Sequence, residues 1–147
     1  MRLVTFLSAL VVVASVACGG DEKPAPTAEP PSVRGSWVIT PQVPGQPFQA
    51  LAAFGAGGVF VTTGSDQDGT GIGQWAALGA DGFTFSYLNY HFGADGKLTT
   101  VTIVKAKGTF KNDSMTGTAS QSVAGPTGSV LQPAQSVSFT GKRMTAE

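Results

Sequence analysis

The chain has 147 residues, 41% of them hydrophobic, and its 9 Lys and Arg balance 9 Asp and Glu to a formal charge of zero. That balance leaves no basic stripe for a nucleic-acid backbone and no acidic or basic block for an oppositely charged partner. A lone cysteine excludes an intramolecular disulfide, and a lone histidine leaves little material for a His-based metal site or a catalytic triad.

The N-terminus reads as an export signal. Arg2 precedes an apolar run that begins at Leu3, and Ser15-Val16-Ala17 then offers small residues for a signal peptidase. The uncharged stretch from Leu3 to Ala17 is shorter than the roughly 20 residues a membrane-spanning helix needs, so residues 1–17 are expected to be removed. Cys18 follows at once. The segment Ala14-Ser15-Val16-Ala17-Cys18 resembles the bacterial lipobox, with Ser15 where an aliphatic residue is usual. The resemblance implies that Cys18 is lipidated and becomes the mature N-terminus, anchoring the chain to a membrane. The alternative is cleavage after Ala17 that leaves a free thiol. Residues 18–34 continue as a proline-rich linker too poor in large apolar side chains to build a core. Extended at about 3.1 Å per residue, it holds the rest of the chain up to roughly 50 Å from the membrane. Gly19 does not match the aspartate that favours inner-membrane retention, which points to the outer membrane if the host is Gram-negative.

Residues 35–147 form the folded domain. Helical spacing of apolar residues is not sustained there, and alternation is common. Glycine, Thr, Ser and Val are abundant, which also favours sheet over helix. Strands are expected near 35–40, 47–54, 58–64, 71–78, 82–92, 97–111, 114–123 and 134–144. Between them, Gly55-Ala56-Gly57-Gly58, Gly79-Ala80-Asp81-Gly82 and Gly93-Ala94-Asp95-Gly96 repeat one pattern, read as a type I turn followed by a left-handed glycine. Asn112-Asp113-Ser114 is a further tight turn. Hairpins in series make an all-β, up-and-down antiparallel sheet, and closing eight strands into a barrel removes their exposed edges. A two-sheet β-sandwich is the alternative architecture.

Parity assigns faces. Phe83, Phe85, Tyr87, Asn89 and His91 share one side of the fifth strand. Lys105, Lys107 and Lys111 mark the outward side of the sixth, which turns Leu98, Thr100, Thr102, Val104, Ala106 and Phe110 inward. Met115, Gly117, Ala119 and Gln121 face in from the seventh strand, and Val137, Phe139, Gly141 and Arg143 from the eighth. The small residues Gly117, Ala119 and Gly141 either ease a tight barrel or open a cavity.

Gly35-Ser36-Trp37 opens the first strand and Gly141-Lys142-Arg143 closes the last. This pairing resembles the lipocalin and wider calycin barrels, and avidin-like barrels also begin with a Gly-x-Trp strand. The resemblance implies a structural role, with Arg143 stacked on Trp37 at the base. Allene oxide cyclase-type barrels share the general appearance. The lipocalin disulfide and the helix after the eighth strand are not expected here.

No catalytic residue, metal site or cofactor is expected. His91 reads as a hydrogen-bonded histidine at the barrel rim. Asp66-Gln67-Asp68-Gly69 offers alternate carboxylates but lacks the remaining ligands of a calcium loop. The glycines from Gly69 to Gly73 have no helix behind them to hold a phosphate. The remaining constellation is Trp75, Phe85, Tyr87, Asn89, Thr102, Ala119 and Gln121, a mixed apolar and polar set of the kind that lines small-molecule pockets. Packed against one another, the same side chains would make a filled core. Two functions are carried forward: a tethered barrel that binds a small hydrophobic or amphipathic ligand, and an envelope protein that acts through an outer apolar face around Leu88, Tyr90, Phe92, Val101 and Ile103. The oligomeric state is left open.

Overall fold

The computed structural model describes residues 32–45, 48–65 and 69–145. The export signal, Cys18 and most of the linker lie outside the described residues. Eight strands follow in chain order: β1 (Gly35–Pro41), β2 (Ala50–Phe54), β3 (Val59–Gly64), β4 (Thr70–Leu78), β5 (Gly82–Phe92), β6 (Leu98–Lys111), β7 (Ser114–Ala124) and β8 (Val130–Arg143). Each pairs antiparallel with the next, and the sheet closes into an eight-stranded barrel. Closure runs from Trp37 opposite Arg143 to Pro41 opposite Phe139. The sandwich is therefore not what forms, because joining β1 to β8 satisfies two edges that a sandwich leaves open.

The inward parities hold on β5 to β8. Phe83, Phe85, Val104, Ala106, Phe110, Met115 and Phe139 are all buried in one cluster with Trp37, Ile39, Phe54 and Phe60. Phe54 stands at its centre, edge-on to Phe60, Trp75, Phe83 and Phe85 at centroid distances of 5.0 to 5.9 Å. Phe60 and Phe85 stack at 4.4 Å and 11°.

The small inward residues mostly admit rings. A Cβ on Gly117 would lie 2.4 Å from Phe139 Cζ, and one on Gly141 would lie 2.6 Å from Met115 Cγ. On β4, a Cβ on Gly71 would meet the Tyr87 ring at 2.6 Å. Glycine at these positions lets a bulky neighbour lie flat against the strand.

Strand ends depart from expectation at two places. β2 starts at Ala50, three residues later than expected, and β8 at Val130, before its expected start at 134. Pro133 is accommodated by a bulge: Gln121 faces Gln135 and Val123 faces Gln132, so Pro133 and Ala134 stand opposite Ser122 alone. A proline at a bulge forfeits no ladder bond.

The three glycine turns are not copies of one geometry. At 93–96 the last glycine is left-handed, with Gly96 N–H bonding Gly93 O at 2.9 Å and Gly93 N–H bonding Lys97 O at 2.9 Å. At 79–82 the left-handed residue is Gly79, and at 55–58 both Gly57 and Gly58 take positive φ within a short 3-10 turn. The true counterpart of 93–97 is Gly125-Pro126-Thr127-Gly128-Ser129, which repeats both backbone bonds at 2.9 and 2.8 Å. Asn112 takes φ 52° in the tight turn expected there.

Candidate functional site

The two ends of the barrel are built differently. The base gathers the start of β1, the ends of β4 and β6, and the close of β8. Trp37 is fully buried there, with its indole N–H donating to Val33 O at 2.8 Å. The Arg143 guanidinium lies over the indole, 4.3 Å from the ring centroid. It also donates to Ser32 O at 2.7 Å and to Arg34 O, and faces Asp113 Oδ1 at 3.3 Å. The Gly-x-Trp motif has a direct reason: Gly35 sits at φ 119°, and a Cβ there would come within 2.9 Å of Arg143 Nη1. Ser32 to Arg34, expected as linker, thus form part of the seal, and Val33 is buried in the core.

The mouth, at the other end, holds a partly enclosed cavity of about 60 Å³. Phe60, Phe85 and Phe139 form its floor, while Ile39, Val104, Ala119 and Val137 stand around it. Tyr87 continues the ring stack, 5.5 Å from Phe60, and Pro41 at the end of β1 with Val43 and Phe48 from the β1–β2 connection close over one side. Thr62 and Gln121 supply polar atoms. The Thr62 hydroxyl already donates to Leu51 O at 3.0 Å, which leaves its lone pairs for a guest. Among the described residues the lining contains no Asp, Glu, Lys, Arg or His, so an ionised group taken inside would find no counter-charge from them and would lose its hydration.

Of the seven residues expected to form a ligand site, Phe85, Tyr87, Ala119 and Gln121 line this cavity. The other three are placed elsewhere. Trp75 points inward near the base, where its indole N–H donates to Gly55 O at 2.8 Å and its ring packs on Phe54. Asn89 is fully buried closer to the mouth, and Thr102 is buried beside it with its hydroxyl 2.9 Å from His91 Nε2. His91 is thus a hydrogen-bonded histidine near the rim, and its backbone oxygen accepts from Thr99 at 2.9 Å. A Cβ on Gly69 would lie 3.0 Å from Asn89 Oδ1, so the β3–β4 connection ends over this polar group. Asp66 and Asp68 lie outside the described residues. Among the described residues, no three His, Cys, Asp or Glu side chains come together as a metal site.

Ile39, Phe60, Thr62, Val104 and Phe139 also line the cavity. Val104 and Phe139 were readable as inward but not as members of a site. Strand parity on β1 and β3 was the signal that would have found the others. Pro41 shares the parity of Ile39 on β1, whereas Val43 and Phe48 carry no such signal, since they belong to the β1–β2 connection. No protein-family model, curated protein or solved structure matches the chain.

Proposed function

We propose that this protein is an exported, lipid-anchored barrel of lipocalin-like type that takes the slender apolar end of a small neutral or amphipathic molecule into its mouth. The carrying observation is the cavity of about 60 Å³ between Phe60, Phe85, Ala119 and Phe139, whose described lining carries no charged side chain. Its volume selects among ligands. A dry cavity near 150 Å³ accommodates benzene, so a ring-sized guest requires the β1–β2 connection to move, whereas the tip of an alkyl chain enters as it stands. A polar head group would stay at the rim beside Gln121. The reading is of a binding module that carries out no reaction. The export signal and Cys18 supply its proposed location in the cell envelope, in the outer membrane where there are two.

Native mass spectrometry and calorimetry against a panel of single-chain alkyl compounds and fused-ring compounds test the pocket. The expected result is binding of the chains over the rings, weakened at least tenfold by Ala119→Leu while the variant stays folded. No binding of either class, or binding indifferent to Ala119→Leu, points instead to a filled barrel that acts through its outer surface. Mass spectrometry of the mature N-terminus, with and without globomycin, tests the anchor separately. An unmodified Cys18 defeats that part of the reading.

A further inference from the structure

The outer wall of the barrel is divided as sharply as its interior. Val61 pairs with Ile72, Ile72 with Leu88, and Leu88 with Ile103, so four apolar side chains form one unbroken row across β3 to β6. Toward the mouth, Tyr90 pairs with Val101 in the next row and Phe92 follows on β5. Ile72 is 64% exposed and Phe92 61%. Toward the base, the outward positions of β6 change to Lys105 and Lys107. Their cross-strand partners are Ser86 and Ser120 for the first, Thr84 and Thr118 for the second. The carboxylates among the described residues, Asp81, Asp95 and Asp113, all stand in turns. The strand walls therefore carry positive charge beside an apolar band.

We infer that this wall rests on an anionic lipid surface, with the apolar row and Tyr90 in the interface and Lys105 and Lys107 at the phosphate level. The order of side chains along β6, apolar then lysine, is that of an interfacial element whose lysines reach out of the apolar zone to the head groups. A convex wall of this kind needs no shape-matched partner. The linker supports this choice of occupant. From Cys18 to Ser32 it reaches roughly 40 Å when extended, so a tethered barrel is held where even weak surface affinity is effective. The barrel does not span the bilayer, because rings fill its interior and lysines alternate along its outside, the reverse of a membrane-spanning barrel. The inference takes from the proposed function only that the chain stands near a membrane.

The test uses a chain beginning at residue 18 with Cys18→Ser, since among the described residues every strand and the whole core lie within residues 33–143. Without the acyl anchor, any vesicle binding reports the wall itself. Sedimentation with vesicles of mixed phosphatidylglycerol and phosphatidylcholine is expected to recover the protein, and pure phosphatidylcholine to recover far less. Ile72→Ser with Leu88→Ser, and separately Lys105→Gln with Lys107→Gln, are each expected to reduce partitioning about tenfold. All four side chains are solvent-facing, so melting temperatures should hold. Three results would each overturn the inference: no binding to the mixed vesicles, binding that ignores both double variants, or a dimer by light scattering that Ile72→Ser with Leu88→Ser dissolves. None of these results bears on the mouth cavity, which Ala119→Leu tests independently.

Discussion

The base and the mouth of this barrel use the same strands for opposite ends. At the base, Trp37, Phe54 and Phe83 are buried to 2% exposure or less, and Arg143 ties β8 to Ser32, Arg34 and Asp113. At the mouth, buried side chains turn polar at Thr62, Asn89 and Thr102, and the packing leaves a small cavity. The difference teaches where each kind of free energy lies. Close-packed rings stabilise the fold at one end, and the loosely filled, hydrogen-bonded end has the room that the proposed guest would need.

The comparison breaks first at Phe54. Phe54→Ala removes a ring that touches four other aromatics, and urea unfolding should register a loss of about 3–5 kcal/mol. A loss below about 1 kcal/mol would mean that the base is not the stable end. Arg143→Met keeps a flexible stem over Trp37 but deletes the cation and its carbonyl bonds. Its expected cost is about 2 kcal/mol, together with faster amide exchange at residues 33 and 34. If exchange there is unchanged, Arg143 does not hold the seal.

At the mouth the same measurements should respond weakly. Ala119→Leu grows into existing space, so unfolding should shift by no more than about 1 kcal/mol while ligand binding is lost. A large destabilisation would show the cavity to be less accommodating than its volume implies. The smallest effect concerns Asp95. The Lys97 backbone N–H bonds its carboxylate at 3.1 Å and the Lys97 ammonium lies 3.2 Å away, holding its pKa below the ordinary value of 3.8. A depressed carboxylate contributes stability that is present above its unfolded pKa and disappears as pH falls through the folded one. Asp95→Asn should therefore remove a slight contribution at neutrality, and with it the small loss of stability that the parent shows as pH falls below 3.8. Equal slopes for parent and variant would dismiss the bond as a contributor.

Much of the architecture was legible before any coordinates. The period of two along β5 to β8 placed Phe85, Val104, Ala119 and Phe139 inward because side chains on a strand must alternate. Gly35-Ser36-Trp37 and Arg143 met as their resemblance implied, and Leu88, Tyr90 and Phe92 faced outward beside Val101 and Ile103. The candidate site was less legible. Trp75 has the right parity and the wrong height, since parity reports a face and says nothing of position along the barrel axis.

What the amino-acid order determined by itself was local: alternation, turn residues, and therefore strands with an inside and an outside. Tertiary structure decided what closure alone can decide. Strand stagger in a closed ring sets which inward residues share a level, and so brought Ile39 and Phe60 to the same cavity as Ala119 while leaving Trp75 at the base. It turned Gly117 and Gly141 into seats for Phe139 and Met115, and drew Val33 under the indole of Trp37. These contacts join residues far apart in the chain, and no local period encodes them.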